Sequence, residues 1–189
     1  MRRIVGKTGL WLLGWDLVGE VPAHRRGVVI GYPHTSNLDF PMMLLLSWAL
    51  DVSFHWVGKK SLFEGPFGWL FRALKGIPIH RDSRSDTVSQ LARRFDAGGE
   101  LLLAIAPSGT RKAAANWRSG FYHIAQAANV PILVGFIDFG TRCGGMAGII
   151  QPSGDILADM DKIRDLLSGV RGYKPQKQIP IRLREEVEE

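Results

Sequence analysis

Short runs of β-branched and other apolar residues alternate with segments that have the apolar spacing of helices, and this alternation constrains the fold most strongly. The runs predicted to be strands are residues 27–32, 52–57, 77–79, 101–105, 130–137 and 146–150. The segments predicted to be helices are residues 41–50, 61–74 (a short pair, or one helix with an irregular start), 85–97, 120–128 and 155–170. Because such a chain covers both faces of one sheet with helices, we predict a single α/β domain with a mixed, largely parallel sheet.

The limits of this pattern divide the chain into three parts. Residues 1–20 are predicted to contain an amphipathic N-terminal helix, which spans residues 4–19. Residues 21–171 are predicted to form the α/β domain. Residues 172–189 are predicted to be a charged, solvated tail, or at most a late strand at residues 179–183. The length of 189 residues fits one such domain with small appendages.

The predicted N-terminal helix combines aromatic rings with cations. Trp11 and Trp15 lie one turn apart, and Arg2, Arg3 and Lys7 supply positive charge. Such a helix suits a membrane interface, where aromatic rings sit at the level of the lipid headgroups. A helix packed on its own domain is an alternative of equal weight. No apolar run reaches the roughly 20 residues of a membrane-spanning helix, so membrane contact is expected at the surface.

The chain is basic, with a formal net charge of +6 at pH 7. A basic protein favours anionic partners such as nucleic acid, phosphorylated ligands or an acidic membrane surface. Nucleic-acid binding is not predicted, because no binding motif is present and the cations are not gathered on one helix. Isolated cations such as Lys112 and Arg118 are predicted to be solvated or lipid-facing. The single cysteine, Cys143, and the spacing of the histidines give no pattern typical of a metal site, so no metal is predicted.

A histidine and an aspartate frame the loop between the first predicted strand and the helix that follows it. The loop contains the sequence His34-Thr35-Ser36-Asn37-Leu38-Asp39. In an open α/β sheet, ligands bind at the carboxyl ends of the strands, where a histidine can act as a general base near neutral pH. If the loop folds back, Asp39 fixes the imidazole tautomer and stabilises the imidazolium. The alternatives are that Asp39 is a helix N-cap and His34 an ordinary loop residue.

Further motifs follow this loop in a fixed order. They are Gly58-Lys59-Lys60-Ser61-Leu62-Phe63, Pro66 to Arg72, Gly76-Ile77-Pro78-Ile79-His80-Arg81, Ala106-Pro107-Ser108-Gly109-Thr110-Arg111 and Val130-Pro131-Ile132-Leu133-Val134. With the His-x4-Asp motif, this set resembles the glycerolipid acyltransferase family, which includes the enzymes that acylate lysophosphatidic acid. The resemblance extends from about residue 27 to residue 139, and the motifs are specific as a set.

The resemblance implies transfer of a fatty acyl group from acyl-CoA or acyl-carrier protein to the hydroxyl of a lyso-lipid, with lysophosphatidic acid as the default acceptor. In that reaction His34 is the general base and Asp39 orients it. The implied substrate-binding residues are Lys60, Arg81, Ser108, Gly109, Thr110 and Arg111. Cations pair with phosphate oxygens, and the glycine lets the backbone approach the ligand. The resemblance implies no cofactor beyond the acyl donor. Because no segment is long enough to span a bilayer and the chain is basic, an enzyme of lipid substrates is expected to be peripheral, on the cytoplasmic face of the cell membrane.

One position departs from the family pattern, because Ser108 stands where the family carries a glutamate before Gly-Thr-Arg. A serine cannot accept two hydrogen bonds from Arg111 as a carboxylate does. The departure leaves open an acceptor other than a phosphoglycerol, or a non-catalytic membrane- or lipid-binding module on the same fold. The intact His34 and Asp39 favour the enzyme. A serine hydrolase is disfavoured, because no Gly-x-Ser-x-Gly motif surrounds Ser108.

Three large apolar residues, Phe67, Trp69 and Phe71, lie close to Pro66 and Gly68. Apolar residues at helical spacing are usually core. Rings next to proline and glycine can also form an exposed interaction patch. The sequence leaves both interpretations open for these three side chains.

Overall fold

The computed structural model describes residues 1–23, 25–79, 84–109 and 116–186, without the side chains of residues 84–86. Within these residues the strands are β1 (Asp16–Val18), β2 (Arg26–Tyr32), β3 (Phe54–Lys59), β4 (Gly76–Ile79), β5 (Leu101–Ile105), β6 (Ile132–Asp138) and β7 (Cys143–Ile150). The helices are α1 (Arg2–Leu12), α2 (Asp39–Ala49), α3 (Lys60–Glu64), α4 (Gly68–Ala73), α5 (Arg84–Arg93), α6 (Gly120–Ala127) and α7 (Ile156–Leu166). A 3₁₀ turn follows at Pro175–Lys177.

The strands form one sheet in the order β1-β7-β6-β2-β5-β3-β4. All neighbouring strands are parallel except β6 and β7, which are antiparallel. The predicted α/β fold with a mixed, largely parallel sheet is therefore confirmed. The central strand β2 carries the uninterrupted apolar run Val28-Val29-Ile30, as expected for a strand with helices over both faces.

The two faces of the sheet hold separate parts of the core. Val28 and Ile30 of β2 face a large apolar cluster formed with α5, α6 and α7. Val29 points to the opposite face, where its cluster includes Met43 of α2. On that face α1 packs on α2, and Leu10 lies against Met42 and its neighbours. The loop that leads from β2 into α2 is thus anchored on one side by the central strand and on the other by a buried helix.

The N-terminal helix is shorter than predicted. It ends at Leu12, and residues 16–18, predicted to be helical, form strand β1 beside β7. Gly14, with φ of +65°, makes the turn between them, a conformation that glycine adopts without strain. Gly6 has a packing role, because a Cβ at this position would collide with the backbone of Ala49 in α2. The predicted boundary at residue 20 therefore cuts off one strand of the sheet.

The C-terminal segment packs on the domain, so the prediction of a solvated tail is wrong for its described part. Ile179 and Leu183 are buried, and a single backbone bridge joins Leu183 to Trp117 instead of the late strand considered. Gln178 donates a hydrogen bond of 2.7 Å to the hydroxyl of Tyr32 at the end of β2. The burial of these two apolar side chains thus holds the segment on the domain, although the segment is rich in charged residues. Among the described residues, no helix is both long and apolar enough to cross a membrane.

Candidate active site

The predicted site residues that the structure describes lie at one edge of the sheet. His34 follows β2, Ser108 and Gly109 follow β5, and Lys60 follows β3. These three strands run parallel, with β5 between β2 and β3, so their carboxyl ends lie along the same edge. That edge is where open α/β sheets bind ligands.

The loop after β2 brings His34 and Asp39 together. His34 Nδ1 lies 3.6 Å from Asp39 Oδ2, with 30% of the histidine side chain and 6% of the aspartate side chain exposed to solvent. The same aspartate oxygen accepts hydrogen bonds of 2.8 Å from the backbone amides of Thr35 and Ser36. Asp39 is the first residue of α2, and the preceding residue, Leu38, is its N-cap. The carboxylate therefore turns back into the loop, and the N-cap alternative does not apply.

This geometry favours one tautomer of the imidazole. A fixed carboxylate beside Nδ1 favours the tautomer with the proton on that nitrogen and stabilises the imidazolium. His34 Nε2 is then the nitrogen that takes up a proton. His34 is part buried and part exposed, so the ring is held by the protein and still reachable by a substrate.

The loop after β5 is a tight turn beside His34. The amide of Gly109 donates a hydrogen bond of 2.9 Å to the carbonyl of Ala106, and Gly109 has φ of +62°, which favours glycine. Ser108 is buried, and it lines the same small pocket as His34. The pocket is completed by Gly31, Tyr32, Pro107, Trp117 and Ile179. The structure therefore brings Ser108 to the pocket of the histidine, and Gly109 follows it in the turn.

Two residues near this turn were not predicted as part of the site. The amide of Arg118 donates a hydrogen bond of 3.0 Å to the carbonyl of Pro107, and a Cβ on Gly109 would lie 3.5 Å from Arg118 Nε. Arg118, predicted to be a surface cation, thus lies against the turn. Ile179 comes from the segment predicted to be a solvated tail. Arg118 lies just before α6, and no local pattern in the sequence marked Arg118 or Ile179 as a site residue.

Of the remaining predicted binding residues, the structure describes Lys60, which does not line the His34 pocket. Lys60 opens α3 at the carboxyl end of β3, where its Nζ lies 3.3 Å from Oε1 of Glu64 and half of its side chain is exposed. Arg81, Thr110 and Arg111 lie outside the described residues. In the described part of the chain, no three His, Cys, Asp or Glu side chains are grouped as metal ligands would be.

Comparisons with known proteins agree with this architecture. The model of the family described as Acyltransferase matches residues 18–134. The fold is similar to the crystal structure of the 1-acyl-sn-glycerophosphate (LPA) acyltransferase, PlsC, from Thermotoga maritima, with a TM-score of 0.59 and 19% sequence identity over 87% of this chain and 74% of that chain. No curated protein sequence matches the chain. The family match covers more than half of the sequence and includes strands β2, β3, β4 and β5. The chain therefore belongs to the acyltransferase family.

Proposed function

We propose that this protein transfers a fatty acyl group from an acyl thioester, either acyl-CoA or acyl-carrier protein, to the hydroxyl of a lyso-lipid such as lysophosphatidic acid, as a step in phospholipid synthesis. The observation that carries the proposal is the 3.6 Å approach of His34 Nδ1 to Asp39 Oδ2 at the carboxyl edge of the sheet. Membership of the acyltransferase family supports the same class of reaction.

In the proposed reaction, one proton moves from the acceptor hydroxyl to the thiolate by way of His34, and an ester bond replaces the thioester bond. His34 Nε2 takes the proton from the acceptor hydroxyl while that oxygen attacks the thioester carbonyl carbon. Asp39 stabilises the imidazolium that forms. The tetrahedral intermediate then expels the thiolate by breaking the carbon–sulfur bond, and the imidazolium returns its proton to the sulfur. The products are an ester and a free thiol.

The acceptor is held through its anionic group. Lys60, Arg81 and Arg111 are the proposed cations, and Gly109 and Thr110 are proposed to contact the ligand. Ser108 replaces a carboxylate in this set, and its burial in the His34 pocket makes the replacement a candidate determinant of the acceptor. A lyso-lipid that lacks the phosphoglycerol headgroup is therefore the alternative acceptor.

The location proposed is the cytoplasmic surface of the cell membrane. One side of α1 packs on α2 through Gly6 and Leu10. The opposite side leaves Ile4, Trp11 and Leu12 exposed, with 76% of Trp11 accessible. Exposed aromatic and aliphatic side chains on a helix near cations are typical of interfacial anchoring. These side chains support peripheral attachment to an anionic bilayer.

A panel assay tests this function. Purified protein is incubated with one acyl-CoA and one acyl-carrier protein against lyso-lipids that differ in headgroup. We expect transfer to at least one acceptor, and we expect Ser108→Glu to change the order of preference. Absence of transfer to every acceptor, with retained binding to lipid vesicles, would instead support a non-catalytic lipid-binding module. That second candidate is favoured only by the serine at position 108.

A further inference from the structure

The α3–α4 hairpin exposes an apolar surface that the proposed reaction does not use. Phe67 is 61% exposed and Trp69 is 69% exposed, and Leu62 of α3 and Leu70 of α4 are exposed as well. We call these four residues the hairpin patch. Large apolar side chains grouped on one surface mark an interaction site more often than isolated ones do.

The exposed rings of the hairpin patch stand on a well-packed base. Beneath them, Trp56 of β3 stacks on Phe63 with ring centroids 5.6 Å apart, and it meets Phe71 edge-on at 5.8 Å. Arg72 Nη1 donates a hydrogen bond of 2.8 Å to the carbonyl of Phe63. A Cβ on Gly68 would collide with that same carbonyl oxygen. The hairpin therefore packs Phe63 and Phe71 against the sheet and leaves other rings in solvent. Because its interior is well packed, poor packing does not explain why the hairpin patch is exposed.

The charge around the hairpin patch favours an anionic partner. Residues 59–75 contain four cations and one acidic residue, Glu64. The cations are Lys59, Lys60, Arg72 and Lys75. Exposed aromatic rings in a segment rich in cations suit the headgroup region of an anionic bilayer, where the rings enter the interface and the cations meet phosphates.

The hairpin and α1 lie on the same face of the sheet. Phe40, at the start of α2, meets Trp56 at a centroid distance of 4.9 Å and Phe71 at 6.4 Å, so the hairpin packs beside the first turn of α2. Further along the same helix, Gly6 of α1 packs against the backbone of Ala49. The exposed side chains of α1 and the hairpin patch therefore flank α2, and the His34–Asp39 loop leads into that helix.

We propose that the hairpin patch is a second membrane contact, which docks on the surface of an anionic lipid bilayer together with α1. The inference rests on the proposed function, in that α1 supplies the first contact and the substrates are lipids. Two separated contacts restrain rotation of a peripheral protein on the bilayer, which one helix alone does not do. The edge that carries His34 then keeps a constant orientation towards the lipid surface.

Vesicle partitioning tests the contact. Sedimentation with vesicles of phosphatidylglycerol and phosphatidylcholine is measured for wild type, Phe67→Ser/Trp69→Ser and the control Leu157→Ser. The control removes an exposed leucine of α7 on the opposite face of the sheet. We expect the partition coefficient of the double variant to fall at least about tenfold and that of the control to stay unchanged. Unchanged partitioning of the double variant would overturn the proposal.

A second measurement is independent of whether the double variant folds. Brominated lipids quench tryptophans that enter the interface, so quenching is compared between wild type and Trp69→Phe bound to the same vesicles. We expect a smaller quenched fraction in Trp69→Phe. A quenched fraction that is equal or higher in Trp69→Phe would show that Trp69 stays in water, and the contact would be rejected.

Activity separates a failure of this proposal from a failure of the proposed reaction. With a monomeric short-chain lyso-acceptor, a short acyl thioester and no vesicles, the double variant should match wild type, because the hairpin patch is outside the His34 pocket. If wild type transfers no acyl group but the double variant still loses partitioning, the reaction is wrong and the contact stands. If the double variant partitions normally and loses activity only with acyl-carrier protein, the patch binds that protein and the membrane contact is rejected.

Discussion

Asp39 Oδ2 lies 3.6 Å from His34 Nδ1 while it accepts hydrogen bonds from the amides of Thr35 and Ser36. One carboxylate oxygen thus shapes the loop and also faces the imidazole. The loop backbone and the proposed general base are positioned by the same atom. A change at Asp39 should therefore affect the chemistry as well as the loop.

Replacing Asp39 by asparagine keeps the size of the side chain and removes its charge. The imidazolium of His34 then loses its stabilising partner, so we expect kcat to fall by about 10²-fold or more. The KM for the acyl donor should change much less, since Asp39 is not proposed to touch the donor. Steady-state kinetics of Asp39→Asn measure both quantities. An unchanged kcat would contradict the proposed role.

Arg118 lies against the turn that contains Gly109, and we expect it to help hold the anionic substrate. Arg118→Ala should raise the KM for that substrate by about tenfold and leave kcat nearly unchanged, because charge-assisted hydrogen bonds to phosphate contribute to binding. Arg93→Ala, an exposed arginine of α5, is the matched control. Equal KM values for the two variants would show that Arg118 is an ordinary surface cation.

Leu183 is completely buried although it belongs to a charged C-terminal segment. Truncating a buried leucine leaves a cavity, so Leu183→Ala should lower the free energy of unfolding by about 2–4 kcal/mol. Urea denaturation measures the loss, and Leu157→Ala provides an exposed leucine for comparison. If Leu183→Ala costs no more than the control, the segment does not pack on the domain in solution.

Asp159 is a buried carboxylate whose charge should stabilise the fold. Burial raises its pKa, but hydrogen bonds from Ser153, Lys162 and Tyr122 lower it and prevail, so the pKa in the folded state lies below its ordinary value. A carboxylate with a lowered pKa stabilises the protein above its unfolded pKa, and this contribution is lost as the pH falls through the folded pKa.

Asp159→Asn should therefore lower the free energy of unfolding by about 2–3 kcal/mol at pH 7. The difference from wild type should narrow below about pH 4, as the wild-type carboxylate becomes protonated. Urea denaturation of both proteins across this pH range is the measurement. If the difference in the free energy of unfolding between the two proteins stays constant down to the lowest pH measured, the charge of Asp159 does not stabilise the fold.

The parts of this protein that could be predicted from its sequence are those with local patterns. Strand β5 was predicted with the bounds observed, because its five residues form an unbroken apolar run. The approach of Asp39 to His34 was predictable because both residues belong to one short loop. Strand β1 was not predicted, because its three residues are too few to show the alternation of a strand. Its sequence instead resembled a continuation of α1.

The parts that could not be predicted depend on residues that are distant in sequence. Ile179 joins the pocket of His34 only because the C-terminal segment returns to the sheet. Arg118 reaches Gly109 because the amide of Arg118 binds the carbonyl of Pro107 across the intervening chain. The open question about the rings of residues 67–71 is also resolved by packing, since Phe71 contacts Trp56 whereas Phe67 and Trp69 face outward.

The most direct test of the proposed reaction is the acyl-transfer rate of His34→Ala with the best acceptor from the panel. His123→Ala removes an exposed histidine of α6 and is the matched control. Loss of a general base should reduce kcat/KM by about 10²–10⁴-fold in His34→Ala, with no loss in His123→Ala. Wild-type rates in His34→Ala would contradict His34 as the base that activates the acceptor hydroxyl.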